Sequence, residues 1–64
     1  MNDEKFNMSL RKFLKQVGVT SQQQLEKLVR DLGDDAKGSL KVKMVLSAEG
    51  TPLNHVVEGE IELD

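Results

Sequence analysis

The chain has 64 residues, with 11 acidic against 9 basic side chains for a formal net charge of −2, one His, and no Cys, Trp or Tyr. Below about 70–80 residues a single core rarely contributes more than about 3–5 kcal/mol, so folds of this size usually carry a staple. Without Cys there is no disulfide and no thiolate metal site, and one His does not assemble a zinc site from one copy; oligomerisation is the staple that remains. Charge is uneven: residues 1–32 carry six Lys/Arg against four Asp/Glu, and residues 33–64 carry three against seven. The halves should attract each other mildly, and the whole should bind neither nucleic acid nor anionic membrane strongly. The longest apolar run is Met44-Val45-Leu46, far short of the roughly 20 residues that span a bilayer. The start, MNDEKF, lacks the apolar stretch of a signal peptide. A soluble cytoplasmic protein is expected.

In chain order, Phe6, Leu10, Phe13, Leu14 and Val17 recur at helical spacing and predict an amphipathic helix over residues 3–17. Asn2 or Asp3 can cap it, and Asp3 and Glu4 suit the positive end of its dipole. Gly18 is read as its stop, in a left-handed conformation that Gly takes without strain. A second helix is predicted over 21–32. Thr20 with Gln23, or Ser21 with Gln24, has capping-box spacing. Leu25, Leu28, Val29 and Leu32 form its stripe, and Glu26 with Arg30 is a favourable surface pair. Gly33 ends it, and GDDAKG (33–38) is a loop.

From Leu40 the period changes to two, predicting a β-hairpin over 39–48 and 54–63 around the turn EGTP. Leu40, Val42, Met44 and Leu46 share one face of the first strand; His55, Val57, Gly59, Ile61 and Leu63 share one face of the second. If opposed residue numbers sum to 101, Leu40 meets Ile61, Met44 meets Val57, Lys41 meets Glu60 and Lys43 meets Glu58. Opposite charges directly across a pair help by a few tenths of a kcal/mol to about 1. The expected fold class is α+β, a single domain over 1–64: two N-terminal helices followed by an antiparallel β-hairpin (α-α-β-β), completed by dimerisation.

The runs FNMSLRKFLKQVGVTSQQQLEK, KMVLSAEG and HVVEGEIEL resemble a family of short uncharacterised bacterial proteins, over most of the chain except roughly residues 33–39. The pattern FNMS-x-RKFLK-x-VGVTS is long and therefore specific. The resemblance implies an α-α-β-β fold and a bacterial cytoplasm; it carries no activity and no functional residues.

Candidate chemistry is sparse. His55 could sense pH or serve as a ligand shared across a dimer axis, although a partly exposed His packing beside Leu46 is the simpler account. Glu58, Glu60, Glu62 and Asp64 could collect a hard cation, but a strand spreads alternate carboxylates at about 6–7 Å rather than converging them. Opposite lysines make a solvated, salt-bridged face the simpler account. Arg11, Lys12 and Lys15, with Lys5, form the polar back of the first helix, with Met8 among them, and are the candidate surface for an acidic protein partner or a phosphate backbone. The turn into the second helix is similar to a helix-turn-helix, with Gln22, Gln23, Lys27 and Arg30 in reach of bases. Net negative charge and the lack of a spare aromatic weigh against that use. Catalysis would have to use His55 with Ser47 or Thr51, near one exposed turn without a pocket.

The reading is therefore a non-enzymatic interaction or regulatory module, without cofactor or metal, acting as a homodimer on an unidentified protein partner. Its alternative is a weak nucleic-acid-binding regulator using the basic face of either helix. The dimer interface is expected at the open edge of the second strand, at Val56, Val57, Gly59 and Ile61. Lys41 and Lys43 guard the first strand's edge, whereas the second places two valines beside a glycine.

Overall fold

The computed structural model describes residues 1–64. A single α-helix, α1, spans Asp3–Leu32, a 3-10 turn follows over Gly33–Asp35, and strands β1 (Ser39–Ser47) and β2 (Asn54–Glu62) close the order. The chain divides into two compact units, Met1–Gly33 and Asp34–Asp64.

The helical unit corrects the expectation of two helices. α1 runs for 30 residues without interruption, about 45 Å at 1.5 Å per residue, so the fold is α-β-β and not α-α-β-β. Gly18 does not stop it. Positive φ is confined to Gly33, Gly38 and Gly50, and Gly18 keeps helical backbone in mid-element. Thr20 is not a cap either: its Oγ1 donates to the Gln16 carbonyl at 2.7 Å. Mid-helix hydroxyls often bond back to the preceding turn in this way. The physical reason lies in the phase of the apolar positions. At about 100° per residue, Leu25, Leu28 and Leu32 fall on the same face as Phe6, Leu10, Phe13 and Val17, provided the helix continues. An interior Gly costs roughly 0.5–1 kcal/mol. A break would instead leave up to four orphan N–H and four orphan C=O groups to be satisfied by caps.

The true ends are well marked. The Asn2 side chain accepts from the Lys5 N–H at 3.0 Å, and Asp3 and Glu4 occupy the first turn. At the far end Gly33 has φ 56°, and its N–H donates to the Arg30 and Val29 carbonyls. The ion pair on α1 is Lys27 with Asp31, at 3.0 Å; the expected pair of Glu26 with Arg30 does not form.

The hairpin unit follows its expected register throughout. Leu40 pairs with Ile61, Lys41 with Glu60, Val42 with Gly59, Lys43 with Glu58, Met44 with Val57 and Val45 with Val56. Each strand is one residue shorter than the pattern suggested. Lys43 and Glu58 are cross-strand neighbours but form no ion pair within 4.0 Å. The loop is set by Gly50, whose φ of 72° is a left-handed value, and by Thr51. The Thr51 N–H and Oγ1 both donate to the Ala48 carbonyl, and Oγ1 accepts from the Leu53 N–H. Beyond the strands, the Leu63 N–H donates to the Gly38 carbonyl and the Gly38 N–H to an Asp64 carboxylate oxygen.

Neither unit has an interior. No side chain is buried, and Phe6, Leu10, Phe13, Leu14, Leu28, Met44 and Val57 all remain 40 % or more exposed.

Candidate functional site

Three surfaces are available, two apolar and one cationic. The first is the long face of α1. Phe6, Leu10, Phe13, Val17, Ser21, Leu25, Leu28 and Leu32 succeed one another at intervals of 4, 3, 4, 4, 4, 3 and 4 residues. On a helix at about 100° per residue they occupy one arc of about 120°. Val17, Ser21, Leu25 and Leu32 on this line are half-buried and the others exposed. The step of two fours through Ser21 is the signal that joins the two stripes. It was available in the sequence but masked by the helix-stop residue Gly18.

The second is the apolar face of the hairpin, with Leu40, Val42, Met44 and Leu46 from β1 and Val57, Ile61 and Leu63 from the second strand and its extension. Gly59 opposite Val42 leaves it without a side chain at one position. The sheet has two strands only, so the outer edge of each lacks a pairing strand. Along the β2 edge, Val57, Gly59 and Ile61 lie on the apolar face, while Val56 points to the opposite one. Val56 and Val57 are exposed and Ile61 is half-buried. These four are brought together as an edge, not as one patch. An open concavity lies by Lys41, Val42, Lys43, Glu58, Gly59 and Glu60. Its two cations, on β1, stand opposite its two anions, on β2, so it selects no ligand by net charge.

The third surface is the back of α1. Met8, Arg11, Lys12 and Lys15 fall within an arc of about 100° on the side away from the apolar line, and Met8 is 71 % exposed. Val19, 47 % exposed, continues the line Met8–Lys12–Lys15 at intervals of 4, 3 and 4; sequence reading assigned it to a turn and so missed it. The result is a cationic strip with an apolar residue at each end.

Other candidates are dispersed. His55 pairs with Leu46 at the loop end of the sheet and is exposed. The Thr51 hydroxyl is committed to the loop. No group of three His, Cys, Asp or Glu side chains is placed to hold a metal ion. Gln22, Gln23, Lys27 and Arg30 lie on unbroken helix, so the turn of a helix-turn-helix is absent. No helix is long and apolar enough to cross a membrane.

The chain belongs to the Family of unknown function (DUF6494), whose family model matches residues 1–64. No curated protein and no solved structure matches it.

Proposed function

We propose that this family member is a small binding module, not an enzyme, that works in the bacterial cytoplasm as a homodimer and offers its cationic helix back to an acidic protein partner. One observation carries the reading: not one side chain is buried, in a chain whose apolar residues are patterned as though for a core. A symmetric pair is the commonest closed assembly. Met8, Arg11, Lys12, Lys15 and Val19 lie off the apolar line, so they stay available to a further partner. A strip with a central positive charge and an apolar contact at either end suits an acidic surface with apolar flanks.

Light scattering across a dilution series tests the reading. Twice the chain mass of 7.2 kDa is expected well below the concentration at which folding is lost. A well-folded species of single-chain mass at high micromolar concentration would overturn it. Titration with duplex DNA and single-stranded RNA at two salt concentrations tests the use of the cationic back. Tight binding that weakens steeply with salt would reassign that strip to a phosphate backbone.

A further inference from the structure

The cationic strip has the spacing by which one helix packs along another. Met8, Lys12, Lys15 and Val19 succeed one another at intervals of 4, 3 and 4 residues on unbroken helix, the alternation of fours and threes that marks the contact line of a coiled coil. At about 100° per residue the four fall within an arc of about 60°. That is half the width of the apolar line, and a narrow stripe of this kind is what a single partner helix covers. Along it the order is apolar, cationic, cationic, apolar, with Arg11 on the flank beside Lys12. None of these three cations has an ion-pair partner, since the ion pair of α1 joins Lys27 to Asp31. We propose that the strip receives an acidic amphipathic helix of the partner protein, laid along α1 from Met8 to Val19. Its two central contact positions carry carboxylates and its two outer ones apolar side chains. The inference rests on the acidic-partner reading above and names the partner's secondary structure and residue pattern.

Three features select this occupant. The four contact levels stand about 6, 4.5 and 6 Å apart along the axis, about 16.5 Å in all. A partner helix repeats those steps, whereas an extended segment, whose like-facing side chains recur every 6–7 Å, needs about 20 Å for four contacts and falls out of step. Charge excludes a second copy of this chain. Set against the strip in register, a copy would oppose lysine to lysine whether it ran parallel or antiparallel. The positive stretch is also bounded: Glu4 stands four residues before Met8 and Glu26 seven after Val19, so a carboxylate-bearing helix is held at this level and not slid along α1. Lysine suits a contact line of this kind, because its methylene stem can lie against apolar side chains while the ammonium reaches out to a carboxylate.

Two synthetic peptides added to the full chain test the proposal. The first is an alanine-based helix with leucines and glutamates at the spacing and order of the strip, leucine outermost. The second has the same composition, reordered so that its leucines and glutamates fall on different sides of its helix. Binding is followed by nuclear magnetic resonance at the methyl groups of Met8 and Val19. The first peptide should shift both methyls, and the second should bind at least about tenfold more weakly, since it cannot place its charges and apolar side chains together. Lys12→Glu combined with Lys15→Glu should abolish the first peptide's binding, and replacing that peptide's glutamates by lysines should restore it. Equal binding of the two peptides would overturn the helix, leaving an acidic partner held by charge alone. Shifts at Leu10 and Phe13 in place of Met8 and Val19 would put the peptide on the apolar line and overturn the proposal. Failure of both peptides to bind at low salt would remove the acidic-partner reading with it.

Discussion

The helical and hairpin units lack different things. In α1 every interior N–H and C=O is satisfied within the element, so the helix needs no partner for its backbone; its cost is an apolar line that the unit leaves uncovered. In the hairpin each strand is satisfied along one edge only, and one face is apolar as well, so the unit lacks backbone partners and side-chain cover together. Isolated helices and isolated two-stranded hairpins are both marginal in water. The helix could be completed by side chains alone, in any register its spacing allows, whereas the hairpin needs a strand or another edge cover. Along β2, Glu58, Glu60 and Glu62 set alternate positions to one sign, so an in-register parallel copy of that strand would stack like charges.

Substitutions that separate the two units should therefore differ in size. The largest effect is expected on the apolar line of α1. Leu10→Ala should cost about 2–5 kcal/mol per copy, as for a residue buried in the assembly, with loss of dimer and of helical circular dichroism together. A change of under about 0.5 kcal/mol, as at an ordinary surface site, would show that this line stays exposed. In the hairpin, Val57→Lys should cost about 1 kcal/mol, the scale of one cross-strand pair, read as a lower urea midpoint with dimer mass retained. Dissociation as complete as for Leu10→Ala would instead put the interface on the β2 edge.

Gly18→Ala should act in the opposite direction. A Cβ there meets nothing within 4 Å and the backbone is helical, so the helix should gain roughly 0.5–1 kcal/mol. A lower melting temperature would restore a break at Gly18. The smallest effect belongs to the polar face of the sheet. Lys43→Glu, facing Glu58, should cost a few tenths of a kcal/mol, and adding Glu58→Lys should recover it. Lack of recovery would mean that Lys43 and Glu58 do not interact across the pair.

These contrasts also explain what could be read from residues alone. The hairpin was legible because a period of two combined with Lys41 and Lys43 opposite Glu60 and Glu58 leaves few registers open, and the observed one matches pair for pair. The helix was legible in its faces but not in its continuity. Gly18, Thr20 and Gln23 carry the local chemistry of a stop and a restart, and local signals yield when one unbroken helix keeps Phe6, Leu10, Phe13, Val17, Leu25, Leu28 and Leu32 on one face. Ser21 was the deciding position. Polar by type, it stands on the apolar line and was read as a cap. The cationic back at Met8, Arg11, Lys12 and Lys15 followed from periodicity, while Val19 was lost with the supposed turn. The absence of any buried side chain had no signature in the sequence, because an apolar stripe looks the same whether its own chain or another covers it.

Concentration decides between those two covers. If a second copy supplies the missing core, association stabilises folding by mass action, and the melting temperature followed by circular dichroism should climb steadily as the protein concentration is raised. A sharp, reversible transition at one temperature across the whole series would contradict the account, since it would mean that a single chain completes its own fold.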